Sequence, residues 1–169
     1  MPATTISAAV EGSTAWVRIV GRACAERARD FGGAVERFRD QGVRDVVLDL
    51  GDCRLMDSTF SGVLTGLVES QNAQPLCFTL VNPTVRVTDL LDNLGVLPLV
   101  RVLNLAKCTM PTDADEVGLG GHSQEDHKIC CLEAHRLLMG LKPENQARFA
   151  ELTRMLERDL QRAEPLAIG

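Results

Sequence analysis

The chain is poor in aromatic residues, with no tyrosine, one tryptophan and five phenylalanines among 169 residues. This scarcity argues against a stacking platform for single-stranded nucleic acid. Basic residues are also outnumbered, since 18 Lys and Arg stand against 23 Asp and Glu, which gives a formal net charge of −5. Binders of nucleic acid or of anionic membranes usually carry a basic patch, so we expect neither a nucleic-acid nor a membrane partner.

Long hydrophobic runs are missing as well. No apolar stretch approaches the length of a membrane-spanning helix, and the first twelve residues lack the basic-then-apolar order of a signal peptide. The six cysteines are scattered near apolar neighbours and are not spaced as a disulfide framework. In a reducing compartment they would remain thiols that pack as small hydrophobes. We therefore expect a cytoplasmic protein.

The sequence also lacks the common enzyme motifs. It contains no phosphate-binding Gly-x-x-x-x-Gly-Lys loop, no Gly-x-Gly-x-x-Gly after a strand, and no Gly-x-Ser-x-Gly elbow. The glycines between residues 118 and 121 do not lie at a strand–helix junction, so they do not form a phosphate cradle. We expect that the protein is not an enzyme and that it needs no cofactor of its own.

Two neighbouring segments of the sequence are the most informative about fold and function. Residues 46–50 form a near-continuous apolar run, typical of a strand buried on both faces of an α/β sheet. Residues 57–59, Asp-Ser-Thr, then offer several side-chain oxygens as candidate N-caps for a helix. The helix has one apolar face, made of Phe60, Val63, Leu64, Leu67 and Val68. This pattern predicts an exposed helix start where a phosphate can be attached, although capping alone also accounts for it.

The periodicities along the chain predict the order β-β-α-β-α-β-α-β, followed by an α-helical hairpin. The predicted strands cover residues 4–10, 15–20, 44–50, 76–81 and 96–103, and the predicted helices cover 25–41, 58–71 and 83–94. Gly32-Gly33 weakens the first helix, which should kink there or begin later. We divide the chain into a sheet domain at 1–107, a flexible linker at 108–122, a C-terminal helical hairpin at 123–163 and a tail at 164–169.

The run Met56-Asp57-Ser58-Thr59 after a strand, with Gly62-Val63-Leu64 behind it, resembles the signature of STAS domains of the anti-sigma-factor antagonist type. The resemblance covers roughly residues 4–106 in element order, and it implies a STAS-like mixed β-sheet with helices. In that family the serine directly after the aspartate is phosphorylated by a partner kinase. This implies Ser58 as the phosphorylated residue, with Thr59 as the fallback. Phe60 and Ser61 replace the first Gly-Leu of the family pattern Asp-Ser-Ser/Thr-Gly-Leu-Gly.

The same resemblance implies a function in bacterial partner switching. The unphosphorylated protein would bind an anti-sigma factor that is also a serine kinase, and a PP2C-type phosphatase would remove the phosphate from Ser58. The implied partner-binding residues are Asp57, Ser58, Thr59, Phe60, Ser61, Arg22 and Cys24. The alternative is a STAS scaffold for an oligomeric or multi-protein assembly, in which Ser58 is never phosphorylated.

Two further hypotheses concern other residues of the sequence, one a phospho-aspartate receiver and the other a zinc site. Asp49 and Asp57 suggest a phospho-aspartate receiver, but the acidic pair and lysine that hold magnesium in receivers are missing. One helix face of the hairpin places His127, Cys131 and His135 at four-residue spacing, with Cys108 or His122 as a possible fourth zinc ligand. A plain helix interface with buried thiols explains those residues better.

The two amphipathic helices of the hairpin cannot bury their apolar stripes against each other alone. They must pack on the sheet domain, on a second copy as a homodimer, or on another protein.

Overall fold

The computed structural model describes residues 3–70 and 73–163, which form strands and five helices. The strands are β1 Thr5–Glu11, β2 Thr14–Ala23, β3 Asp45–Asp49, β4 Cys53–Met56, β5 Cys77–Val81, β6 Arg101–Leu103 and β7 Asp115–Glu116. The helices are α1 Ala25–Asp40, α2 Ser58–Val68, α3 Val85–Leu94, α4 Gln124–Met139 and α5 Pro143–Ala163. The predicted tail at 164–169 lies outside the described residues.

Six of the strands lie side by side in the order β6-β5-β3-β2-β1-β7, and β4 pairs with the far end of β2. β1 and β2 form an antiparallel hairpin, whose turn uses Gly12 at a φ of 59°. β2, β3, β5 and β6 run parallel to one another, whereas β7 runs antiparallel to β1. Central parallel strands are covered on both faces, which accounts for the apolar run in β3. The predicted α/β class with a mixed sheet is confirmed.

Several predicted boundaries are wrong for local reasons. Strand β4 was not predicted; it has only four residues and pairs with β2 beyond an irregularity in register. The last predicted strand begins at Arg101, because Leu97–Leu99, which includes a proline, forms a 3₁₀ turn. Helix α3 begins at Val85, because the Thr84 hydroxyl accepts a hydrogen bond from the Val87 amide and caps it there. Helix α2 ends at Val68, before the predicted residue 71.

Helices α1 and α2 pack against each other over the core of the sheet domain. The rings of Phe31 and Phe60 stack with their centroids 4.7 Å apart. The kink or late start predicted at Gly32-Gly33 is wrong, since α1 runs unbroken from Ala25. A methyl group at Gly32 would lie 3.0 Å from Cγ1 of Val63. This glycine therefore allows the close approach of α1 and α2, at the expense of helix propensity.

The segment 108–122, predicted as a flexible linker, runs beside the sheet and touches it at several points. Strand β7 pairs with β1. The Arg18 guanidinium donates to the Cys108 carbonyl over 2.8 Å, and the Arg27 guanidinium donates to the Val117 carbonyl, also over 2.8 Å. The Gly120 amide donates to Oδ1 of Asp30 at 2.9 Å. These bonds attach the segment to β2 and α1.

The two C-terminal helices form the predicted hairpin. Helix α4 begins with a capping box between Ser123 and Asp126. Helix α5 packs on α4, and α4 packs on α2 and α1, so the hairpin covers the sheet domain of its own chain. The buried amide of Asn145 donates to the carbonyls of Leu94 and Leu138, at 2.9 and 2.7 Å, which ties α5 to the end of α3. None of the helices in residues 3–70 and 73–163 has the length and apolar character needed to cross a bilayer.

Candidate functional site

Asp57 joins the start of α2 to the start of α1. Its Oδ1 atom accepts a hydrogen bond from the Phe60 amide at 2.8 Å, and its Oδ2 atom accepts from the Ala25 amide at 2.8 Å. One carboxylate therefore satisfies free amides at two helix N-termini, where negative charge is favourable. The Ser61 hydroxyl donates to the Asp57 carbonyl. Asp57 is thus the N-cap of α2, and capping does not require the Ser58 hydroxyl.

The Ser58 hydroxyl instead contacts the C-terminal hairpin. Its Oγ atom lies 2.8 Å from Nε2 of His135 in α4, a residue 77 positions further along the chain. The other ring nitrogen of His135, Nδ1, lies 2.6 Å from the Cys131 carbonyl. Because a carbonyl only accepts, Nδ1 carries a proton, and in the neutral ring Nε2 accepts the proton of the Ser58 hydroxyl. His135 is 1% exposed and its ring meets the ring of Phe149 edge-on.

The expectation that this helix start is exposed is wrong for three of the predicted partner-binding residues. Thr59, Phe60 and Ser61 are buried, while Asp57 and Ser58 are half-buried. Phe60 is turned into the core against Phe31, and Ser61 is bonded to the backbone of its own helix. The Thr59 hydroxyl donates to the sulfur of Cys131 at 3.5 Å, so α4 covers this side chain.

The loop that contains the implied partner-binding residues Arg22 and Cys24 lies beside this helix start. The Asp57 amide donates to the Ala23 carbonyl, and β4 pairs with β2 up to that residue. Arg22 is exposed and Cys24 is half-buried, and both line a cleft of about 400 Å³. Burial raises the pKa of the Cys24 thiol, with the charge of Asp57 acting in the same direction. The structure therefore places Arg22 and Cys24 next to Asp57 and Ser58.

The sequence clusters Arg27 with Arg22 and Arg29, a pattern that predicts a solvated face or a protein-contact rim, and this prediction is wrong for Arg27. Its side chain is buried, because Asp30 and two carbonyls satisfy the guanidinium. Nε lies 3.1 Å from Oδ2 of Asp30. Burial acts to raise the pKa of Asp30, but hydrogen bonds from Gly120 and His122 and the charge of Arg27 outweigh burial and leave that pKa lowered.

Cys131 and His135 favour each other's charged forms. Burial acts to raise the pKa of the Cys131 thiol, but hydrogen bonds from His135 and Thr59 overcome burial and lower it. Burial likewise acts to lower the pKa of His135, yet its bonds to the sulfur and carbonyl of Cys131 leave that pKa raised. The Sγ and Nδ1 atoms are 3.4 Å apart. Each group thus stabilises the charged form of the other.

The candidate zinc ligands are not brought together. Within residues 3–70 and 73–163, no three His, Cys, Asp or Glu side chains form a group that could hold a metal ion. His135 is engaged by Ser58, while the ring of His127 lies edge-on to the ring of His122, 5.9 Å away.

The aspartate of the receiver hypothesis is engaged as well. Asp49, at the end of β3, is buried and paired with Arg18 at 2.7 Å. Its other oxygen, Oδ1, accepts from the Gly51 amide. Both carboxylate oxygens of Asp49 are therefore engaged by hydrogen bonds at the end of β3.

Sequence reasoning missed the role of His135 at Ser58. The signal that was present lies on α2, where Gly62 and Gly66 recur four residues apart on a face away from Phe60. Small residues at this spacing allow a second helix to approach closely. A methyl group at Gly62 would lie 2.6 Å from Cβ of Ala134, and one at Gly66 would lie 2.8 Å from Cδ1 of Leu137.

Comparisons with known proteins agree with this architecture. The sequence model of the STAS domain family matches residues 5–107. The structure is similar to TM1081 of Thermotoga maritima, a candidate anti-sigma factor antagonist, with a TM-score of 0.52 and 20% identity over 57% of this chain and 84% of that chain. A search of curated protein sequences gave no match.

Two structures of SpoIIAA were also found. The anti-sigma factor antagonist SpoIIAA in its unphosphorylated form has a TM-score of 0.49 and 16% identity, over 58% of this chain and 87% of that chain. The phosphorylated form of SpoIIAA, the Bacillus cell fate determinant, has a TM-score of 0.45 and 17% identity, over 60% of this chain and 91% of that chain.

Proposed function

Because the chain belongs to the STAS domain family, we propose that it is an anti-sigma-factor antagonist controlled by phosphorylation of Ser58. In the unphosphorylated form it binds an anti-sigma factor that is also a serine kinase. The kinase transfers a phosphate from its own ATP to Ser58, and this ends the binding. A PP2C-type phosphatase restores the first form. The protein itself is a non-catalytic binding module that holds no cofactor.

The single observation that carries this proposal is the division of roles between Asp57 and Ser58. Asp57 supplies the caps of both helices, so the Ser58 hydroxyl at the first position of α2 is free of any structural duty in the sheet domain. A phosphate there adds about 1.5 to 2 negative charges beside Asp57. The amides at the helix start tolerate this charge, whereas a partner surface matched to the neutral hydroxyl does not.

The loop of Arg22 and Cys24 extends the proposed partner surface. It touches Asp57 through the Ala25 amide, so a partner seated on Ser58 also reaches this loop. The proposed partner surface is supported from the protein interior by the buried residues Thr59, Phe60 and Ser61. Thr59 remains the fallback for phosphorylation.

The test is phosphorylation by purified anti-sigma serine kinases. Incubation with ATP and mass spectrometry should show one added phosphate, which Ser58→Ala abolishes and Ser13→Ala leaves unchanged, since Ser13 lies in the exposed β1–β2 turn. Calorimetry should show that Ser58→Asp binds the same kinase at least about tenfold more weakly, a loss of about 1.4 kcal/mol. If the Ser58→Ala variant still receives a phosphate, Thr59 becomes the expected phosphorylated residue.

The burial around Ser58 favours one alternative, a STAS scaffold that assembles with itself or with other proteins while Ser58 stays unmodified. Leu137 and Met155 remain exposed on the hairpin, at 37% and 47%, and would contribute to a homodimer through the C-terminal helices. Light scattering at increasing concentration tests this alternative. A concentration-dependent dimer that Met155→Glu dissolves, with no phosphate from any candidate kinase, would establish the scaffold.

A further inference from the structure

The C-terminal hairpin occupies the face of α2 on which the proposed switch depends. His135 contacts the Ser58 hydroxyl directly, and Cys131 contacts the Thr59 hydroxyl one residue further. About one turn of α4, from Cys131 to His135, therefore lies across the first turn of α2. A kinase that reaches for Ser58 in this arrangement meets α4 first.

The imidazole of His135 has no room to move aside. Its Nδ1 is bonded to the Cys131 carbonyl, its ring lies against Phe149 with centroids 4.7 Å apart, and the side chain is almost completely buried. Nε2 already lies at hydrogen-bond distance from Ser58, at 2.8 Å. With Oγ at its present position, a phosphorus atom and three oxygens attached to it would overlap the ring, so α4 has to shift for the phosphate to be accommodated there.

The backbone of α4 cannot move closer to α2 either. Gly62 meets the backbone and Cβ of Ala134, and Gly66 meets Leu137, at distances that leave no space for one added methyl group. Closely packed interfaces of this kind exist in discrete arrangements and do not deform gradually. Helix α4 is therefore either seated on α2 or separated from it.

On the basis of the proposed function, we propose that the seated hairpin and a phosphate on Ser58 exclude each other, which makes α4 an internal cover over the phosphorylation site. The cover has to lift before the kinase acts. In the transfer, the bond from Oγ to the γ-phosphorus of ATP forms, the bond to ADP breaks, and the hydroxyl proton passes to a base of the kinase. The phosphate then keeps α4 from returning.

The internal cover also indicates which kind of partner surface can bind to α2 in place of α4. The face vacated by α4 presents Gly62 and Gly66, which admit a backbone as close as that of Ala134. A partner helix with a small residue at the crossing point fits this face. Such a partner competes with α4 for this face, so by linkage whatever loosens the hairpin favours phosphorylation of Ser58. It favours the partner only in the unphosphorylated protein, because the charge of the phosphate repels the partner.

The direct test needs no kinase. Full-length protein with phosphoserine incorporated at position 58 during synthesis is compared with unmodified protein by hydrogen–deuterium exchange. We expect exchange in peptides from Gln124–Met139 to rise at least about fivefold, the lower end of ordinary coupling between sites. Phosphoserine at the exposed Ser13 is the matched control, and peptides from β3 report whether the sheet domain remains folded. Unchanged protection of α4 with phosphoserine at 58 overturns the proposal.

A second test loosens the hairpin far from Ser58. Asn145→Ala removes the bonds to Leu94 and Leu138, so the buried Leu94 carbonyl loses the amide that satisfies it, while the Leu138 carbonyl keeps the Leu141 amide. Phosphorylation by the kinase should become at least about fivefold faster, while Asn104→Ala, an exposed control, keeps the original rate. An unchanged or slower rate in Asn145→Ala contradicts the internal cover. Absence of phosphorylation in every variant refutes the proposed function instead, and the exchange experiment still decides on the cover.

Discussion

Cys131 stands apart from the other thiols because of the groups that face it. It receives hydrogen bonds from the Thr59 hydroxyl and the His135 ring, whereas burial raises the pKa of Cys24, Cys53, Cys108 and Cys130. Thiolates are the reactive form of cysteine, so a lowered thiol pKa means faster alkylation near neutral pH.

We predict that iodoacetamide labels Cys131 faster than it labels Cys24 or Cys108, which are half-buried to a similar degree. Peptide mapping by mass spectrometry at short reaction times measures the three rates. Thr59→Val removes one donor to the sulfur and should slow labelling of Cys131 alone. Equal rates at the three cysteines would show that His135 and Thr59 do not stabilise the thiolate.

The helix start at Asp57 and Ser58 could be predicted from the sequence, whereas the contact of Ser58 with the hairpin could not. A capped helix start within residues 57–59 follows from residue types and from the apolar periodicity behind them, but the structure decides that Asp57 is the cap. The contact of His135 with Ser58 depends on where the hairpin docks, and an amphipathic stripe does not specify its partner. Arg27 looked solvent-exposed because the carbonyls that satisfy it come from Thr4 and Val117, far away in sequence.

At the scale of elements, α1 and α2 depend on one shared cap. Each helix leaves free amides at its N-terminus, and Asp57 satisfies one in each. Helix α3 is capped independently by Thr84. The two helices beside the site are therefore coupled in stability, whereas α3 is not.

Asp57→Ala should lower the free energy of unfolding by about 2 kcal/mol, because two caps worth about 1 kcal/mol each are lost. Thr84→Ala, which removes a single cap, should cost about 1 kcal/mol. Urea unfolding followed by circular dichroism gives both values. If the two variants are equally stable, Asp57 does not cap α1 in solution.

Short elements were the ones that sequence patterns missed. Strand β4 has four residues and β7 has two, so neither is long enough to show an alternating pattern. Both exist because a longer strand offers them an edge, β2 for β4 and β1 for β7. Their formation depends on tertiary pairing, which local residue preferences do not contain.

At the scale of the whole molecule, Asp30 links the end of segment 108–122 to α1. It accepts from the Gly120 amide and lies 2.9 Å from Nε2 of His122, while its other oxygen pairs with Arg27. Since its pKa is lowered in the folded protein, the stability it contributes is present above the ordinary aspartate value, about 3.9, and is lost as the pH falls through the lower folded value.

Asp30→Asn should lower the free energy of unfolding at pH 7 by about 3 kcal/mol, because Arg27 remains buried without its partner. Below pH of about 4 the difference from the unchanged protein should shrink, since acid neutralises Asp30 there as well. Urea unfolding at a series of pH values measures both effects. Asp159→Asn, at an exposed pair with Lys128, is the control and should change stability little at any pH. A difference that stays constant down to acid pH would contradict this account of Asp30.

The anchoring of segment 108–122 also sets how far the hairpin can travel. His122 is held at Asp30, and α4 begins at Gln124, so a detached α4 hangs from a tether of very few residues. Tethers this short keep the effective concentration of the attached group in the millimolar range or above. A free helix at micromolar concentration competes with α4 at a disadvantage of about a thousandfold. In the proposed switch, removal of the phosphate would therefore let α4 rebind α2 intramolecularly, faster than a free partner could bind.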